Sequence, residues 1–226
     1  MKNIAIIPAR SGSKGLKNKN IADLKGKPLM YYTIKAALES NCFDEVMVST
    51  DSEQYADIAK KCGAKVPFLR SEKLSDDYAG SWDVVREVIL NYKRREKEFN
   101  YVSLLQPTTP LRKSDDIKEA FNILCKNEAN SLTSVTDVEH PVQWCFKLTN
   151  NNWLDEMAKS PYNYMRRQEL EKYYHENGAI YIVDAKKILD KYYNFYEDKC
   201  IAYVMPRERS IDIDTKLDLL YAKMLM

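Results

Sequence analysis

An α/β fold, built on a doubly wound, mostly parallel sheet with one small inserted segment, is what this sequence leads us to expect, on three observations. Short apolar runs alternate with amphipathic stretches of helical length along most of the chain, the pattern of strands joined by crossover helices. Two of the apolar runs, residues 3–9 (NIAIIPA) and 101–106 (YVSLLQ), break into loops of unusual composition. Loops at strand ends are where an open sheet of this class holds its ligand. Between about residues 140 and 174 the alternation gives way to a stretch rich in aromatics, Arg and Asn, without a helical period, which reads as an excursion from the sheet.

The elements follow in order. Pro28 opens an amphipathic helix, PLMYYTIKAALES, a position that tolerates its missing N–H. Residues 45–50 form a second strand, and Asp51 is placed to cap the helix SEQYADIAKKC, which exits at Gly63. Residues 66–70 read as a short edge strand because Pro67 cannot donate to a ladder. Ser81 leads the helix WDVVREVILNYKRREK, and residues 101–106 form a central strand ending in the rigid loop PTTPLR. Ser114 caps DDIKEAFNILCKN, and residues 131–138, 178–183 and 201–205 are strands. Asp184 caps a short helix and Asp214 begins the last one.

The bulk properties exclude several classes. A chain of 226 residues suits one domain spanning 1–226, with residues 140–174 as its insertion. The net charge of +2 and pI of about 8.1 do not suit a nucleic-acid binder. Five scattered cysteines without a C-x-x-C pair argue against a disulfide framework or zinc site, and for a reducing cytoplasm. With two histidines, any metal must rely mainly on oxygen ligands. No apolar run reaches the roughly 18 residues of a membrane span, and the first is too short for a signal peptide.

Two strings carry chemistry. After the first strand, Arg10 to Asn20 (RSGSKGLKNKN) gathers two glycines and four cations within eleven residues. Gly12 and Gly15 let backbone N–H groups approach an anion, and Arg10, Lys14 and Lys19 can neutralise a triphosphate. The loop is neither a Walker A motif nor G-x-G-x-x-G. Near the C-terminus, Ser210-Ile-Asp212-Ile-Asp214 places two carboxylates on one side of an extended segment and two isoleucines on the other. Such a pair suits Mg²⁺, which takes one or two carboxylates and completes its octahedron with water and phosphate oxygens. Asp214 alone serves equally well as a helix cap.

Four ordered strings, IPARSGSKGLKNKN, LLQPTTPLR, RRQELEKYYHENGAIYI and SIDID, closely resemble the acylneuraminate cytidylyltransferases. The resemblance implies a Rossmann-like nucleotidyltransferase that joins CTP to an acid sugar, with Mg²⁺ on Asp212 and Asp214. It implies Arg10, Lys14 and Lys19 at the phosphates and Asn20 at the ribose. Arg70, Ala79 and Ser81 would line the nucleotide pocket, and Gln106 would lie between nucleotide and sugar. Arg167 would meet the sugar carboxylate, and Phe195 and Tyr196 would flank the sugar. Asp212 would serve catalysis as well as metal binding, with the general base left open between it and a metal-bound water. Residues 140–174 resemble the family's dimerisation segment, which implies a homodimer.

Each assignment has a structural alternative. Arg70 could be an ion-pair partner, Gln106 could satisfy backbone beside Pro107, Ser81 could cap its helix, and Phe195 and Tyr196 could be core. Val142-Gln143-Trp144 stand where relatives specific for sialate often carry a basic residue after the Pro, so N-acetylneuraminate, legionaminate and pseudaminate all stay open. Relatives acting on 3-deoxy-octulosonate differ at the first loop. A non-catalytic nucleotide-binding module is the reading from another class.

Overall fold

The computed structural model describes residues 1–12, 15–76, 78–154, 161–190, 192–196 and 199–226. In chain order it contains β1 (Asn3–Pro8), the two-stranded ribbon β2 (Asp23–Leu24) and β3 (Lys27–Pro28), α1 (Leu29–Ser40), β4 (Glu45–Ser49), α2 (Glu53–Lys61) and α3 (Ser81–Lys93). There follow β5 (Tyr101–Leu104), α4 (Ser114–Lys126), β6 (Ser131–Asp137), β7 (Tyr174–Asp184), β8 (Cys200–Val204) and α5 (Lys216–Leu225).

Six strands form one sheet in the order β4-β1-β5-β7-β6-β8. β7 is antiparallel to both its neighbours, and the remaining pairs are parallel. Alternation along the strands divides the core in two. Ala5 and Ile7 of β1 face a cluster holding Met30 and Ile34 of α1, Tyr55 of α2 and Phe121 of α4. Ile4 and Ile6 face the opposite cluster, with Val85, Val88 and Ile89 of α3. Side chains two apart share a face, so one strand serves both helical layers.

From β1 the chain moves to β4 on one side and then returns past β1 to β5 on the other. The loops after β1 and β5 therefore diverge at the carboxyl ends of adjacent parallel strands, the crevice where open α/β sheets bind ligands. A third, smaller cluster joins Leu16 of the first loop to Leu24, Leu29, Ile213 and Ala222. It clamps the C-terminal segment against the opening loop.

Several expected boundaries are corrected. The cap of α2 is Ser52, whose side chain accepts from the Tyr55 N–H; the Asp51 carboxylate is taken by Ser11 instead. Gly80, Lys113 and Thr215, rather than Ser81, Ser114 and Asp214, hold the cap positions of α3, α4 and α5. Residues 66–70 form no strand: Lys65 alone bridges Met47, and the chain then lifts away at Pro67. In place of the helix expected over residues 184–191, the described residues 184–190 hold one 3-10 turn, Lys187–Leu189. β7 begins at Tyr174, because Tyr174, His175 and Glu176 pair with the end of β6. Within the excursion, the described residues form short 3-10 turns and one isolated bridge, Leu148 to Leu154.

Candidate active site

At the switch between β1 and β5 the surface opens into a cleft of about 650 Å³. Arg10, Lys19, Asn20, Arg70, Ala79, Ser81, Gln106, Asp212 and Asp214 all line it. Lys14 lies outside the described residues. Arg167 lies elsewhere, in a second cavity of about 660 Å³ with Asp137, Lys172, Tyr173 and Tyr174.

One wall is the loop after β1. The Asp51 carboxylate accepts from the Ser11 N–H and hydroxyl, both at 2.9 Å. Asn20 is buried and donates its Nδ2 to the Arg10 carbonyl at 3.0 Å, closing the loop on itself. The Arg10 guanidinium reaches across the mouth to the Asp76 carbonyl at 2.6 Å, and the Asp76 carboxylate accepts from the Ala79 N–H at 2.8 Å. Arg70 is buried against Ser49, donating Nε to its hydroxyl and NH2 to its carbonyl. Burial pulls Arg70 down to about 10, against the pull of Asp51 and Glu87, so it is charged at neutral pH. The alternative of a surface ion pair gives way to a buried cation on the cleft wall.

The opposite wall is the loop after β5 and the C-terminal segment. Arg112 is buried and charged, held down at about 9 by desolvation. Its guanidinium donates to the carbonyls of Gln106 and Ala179 and to the hydroxyls of Thr109 and Thr33. One side chain thus satisfies the turn at Pro107 and ties it to β7 and α1. The Ile213 N–H donates to the Thr108 carbonyl at 2.8 Å. Ile213 is buried, as its place between the two carboxylates predicted, and Asp212 and Asp214 face the cleft.

Two glycines bring these walls together. A Cβ on Gly15 would stand 2.9 Å from the Asp214 carbonyl oxygen. Only glycine lets the loop after β1 approach the acidic segment this closely. Gly178 has φ of +71°, and a Cβ there would stand 2.5 Å from Gln106 Oε1. Asn177, just before it, donates to Ser210 and accepts from Ser134 and the Ala179 N–H, locking β7 to β6 and to the acidic segment.

The electrostatics favour a cation. Burial and the neighbouring Asp214 raise the Asp212 carboxyl above its ordinary value, although a hydrogen bond from Thr108 opposes them. Lys19 Nζ meets Asp214 Oδ1 at 2.7 Å, and among the described residues the second oxygen of that carboxylate has no side-chain partner. Two carboxylates lining one cleft, one of them raised by the other, are a fit for a hard divalent ion with oxygen ligands.

A model of cytidylyltransferases matches residues 4–222. The chain belongs to the cytidylyltransferase family. It is 41% identical over 225 residues to the pseudaminic acid cytidylyltransferase of Campylobacter jejuni, covering all of this chain and 96% of that one. It is 40% identical over 223 residues to the N-acylneuraminate cytidylyltransferase of Streptococcus agalactiae, covering 98% of this chain and 52% of that relative. These matches place this cytidylyltransferase in the acylneuraminate group. Its fold is shared with the CMP:2-keto-3-deoxy-manno-octonic acid synthetase complexed with CTP, at a TM-score of 0.73 and 19% identity, over 100% of this chain and 98% of that one.

Three expected residues do not line this cleft. Phe195 is 4% exposed and stacks on Trp82 with ring centroids 4.7 Å apart, so it is core. Tyr196, 55% exposed, packs edge-on against Phe195 and donates its hydroxyl to Glu176. Arg167 is not brought to the cleft within one chain. Residues that sequence reasoning passed over include Thr108 and Asp76. Asp51 was read as a cap, although a carboxylate at the end of a strand beside the first loop was the available signal.

Proposed function

We propose that this cytidylyltransferase transfers CMP from CTP to the anomeric hydroxyl of a nine-carbon 2-keto acid sugar, releasing pyrophosphate. The observation that carries this reading is the cleft that Arg10, Lys19 and Arg70 line together with the Asp212–Asp214 pair, Lys19 being ion-paired to Asp214. A triphosphate suits the cationic side, and relatives at about 40% identity are named for such acids. The two names differ while the identities do not, so the acid stays open among pseudaminate, N-acetylneuraminate and legionaminate.

In this reading the sugar hydroxyl oxygen bonds to the α-phosphorus. The bond from that phosphorus to the β-bridging oxygen breaks, and pyrophosphate leaves with the electron pair. Little covalent work falls on the protein; alignment and charge compensation do. Arg10, and Lys14 four residues on, stabilise the charge growing on pyrophosphate. Lys19 is poised to exchange Asp214 for a phosphate oxygen. Asn20 and Ala79 border the ribose and base, with Arg70 and Ser81. Asp212, raised by burial and Asp214, is the carboxylate placed to take the hydroxyl proton. Asp212 and Asp214 would hold Mg²⁺, which supplies Lewis-acid compensation of phosphate charge.

The acid sugar lies beyond Gln106, toward Tyr196. Its carboxylate is assigned to Arg167 from a second copy of the chain, since the chain's own Arg167 faces another cavity. The exposed apolar residues of the excursion, Phe146, Leu148, Trp153 and Leu154, support such a dimer. Among the described residues no helix is long and apolar enough to cross a membrane. The cytoplasm, where CTP is made and the free cysteines stay reduced, is the compartment we assign.

The test is pyrophosphate release from CTP and Mg²⁺ with N-acetylneuraminate, legionaminate, pseudaminate and 3-deoxy-octulosonate. Release with a nine-carbon acid is expected. Release with the octulosonate alone would move the assignment to that sugar. Release with none would overturn it.

A further inference from the structure

Glu176 is a carboxylate that the transfer chemistry described above does not use. It sits on β7 two residues before Gly178, whose close approach to Gln106 Oε1 places this part of β7 at the cleft. Its Oε1 accepts from the hydroxyls of Thr133 and Tyr196, both at 2.9 Å. Its Oε2 has a single long contact, to the Tyr181 hydroxyl at 3.5 Å, among the described residues. Register explains the gathering. Thr133 pairs with Tyr181 and Val135 with Glu176, so β7 carries three more residues than β6 over this interval, and the irregularity at Asn177–Gly178 returns Glu176 and Tyr181 to one face.

The phenols are donors here, not competitors for the charge. Burial, and then the anion of Glu176 itself, push Tyr196 up to about 12, and the same causes raise Tyr181. The carboxylate is therefore fixed through Oε1 and open at Oε2 on an exposed residue. A carboxylate offers about four acceptor positions and no donor. Tyr181, beside Glu176, is close enough to Asp212 to feel its charge. Trp82, next to the cleft-lining Ser81, packs edge-on against Tyr181 at 5.9 Å.

We propose that Glu176 determines which acid sugar the enzyme accepts, by taking an N–H or O–H donor from the end of the sugar remote from the sugar's own carboxylate. The inference rests on the acid-sugar reading of the cleft. Two carboxylates held side by side repel, so the substrate's anionic end must turn away from Glu176. The neutral end presents its donors to it. An acylamino N–H is such a donor, and an acid sugar with hydroxyls alone must offer one at the same place.

Pyrophosphate release by the full chain, its Glu176→Gln variant and its Glu176→Ala variant tests this against the four acids named above. The wild type decides the underlying reading, since turnover of no acid overturns both that reading and this inference. Given turnover, Glu176→Ala is expected to raise KM for the best acid by roughly tenfold or more, the loss of a hydrogen bond to a charged group. KM for CTP should stay within twofold, and the preference for acylamino acids over the octulosonate should shrink. Glu176→Gln preserves shape and Oε1 acceptance but loses the charge, and should fall between. An unchanged acid KM in both variants would overturn the proposal. So would a parallel rise in both KM values, which marks a purely structural role.

Discussion

Asp212 and Asp214 lie two positions apart on an extended segment, so both carboxylates face the cleft while Ile213 is buried behind them. The arrangement is unfavourable for Asp212 without a counter-ion, the part that the proposed Mg²⁺ would play. Burial and Asp214 both raise Asp212, and Lys19 reaches only Asp214. Replacing Asp212 by Asn therefore separates function from stability. Pyrophosphate release is expected to fall by roughly a hundredfold or more. In chelator, the variant should melt no lower than the parent, because one of two mutually repelling charges has gone. Calorimetry beside the release assay checks both halves; a large loss of melting temperature would show that Asp212 is chiefly structural.

The elements are joined to the site by polar groups far apart in sequence. Asp116 of α4 is buried and accepts from Arg209 at 2.7 and 3.1 Å, from the Tyr203 hydroxyl at 2.8 Å and from the Lys113 N–H at 2.8 Å. Burial alone would raise its carboxyl, but these donors more than offset it and hold it below the usual range. Glu45 is held low in the same way, by Lys97, Lys65 and Tyr92 against its burial. The sign follows from linkage: a carboxyl lower in the folded state adds stability above its unfolded value of about 4, and that stability drains away as pH falls through the folded one. Unfolding by urea should therefore need progressively less denaturant below pH 4. Asp116→Asn should cost about 3 kcal/mol at neutral pH, as for other broken buried pairs, and should flatten part of that acid dependence. A variant as acid-sensitive as the parent would assign the effect to Glu45.

For the whole molecule the open question is a second copy. Arg167 stands in a cavity of its own, and the excursion exposes Trp153 at 74% with Leu148 and Leu154 beside it. Sedimentation is expected to show two copies, and Trp153→Glu to shift the population toward one while raising KM for the acid sugar more than for CTP. A monomer in the wild type would remove the partner's Arg167 from the site.

Much of this was legible along the chain, for local reasons. Strand and helix alternation, the glycine- and cation-rich loop and the carboxylates spaced by two each express a periodicity or composition that needs no partner. The first loop, the acidic pair, Arg70, Ala79, Ser81 and Gln106 accordingly meet in one cleft. Long-range competition settled the rest. Asp51 looked like a cap until the Ser11 loop, forty residues earlier, took its carboxylate. Phe195 looked like a sugar contact until Trp82 covered it. Arg112 became the strut of the site because Thr33 and Ala179, far from it in sequence, surround its guanidinium. Spacing along a strand sets which side chains share a face; which of those faces is taken by another part of the chain depends on packing between segments, and no local pattern encodes that.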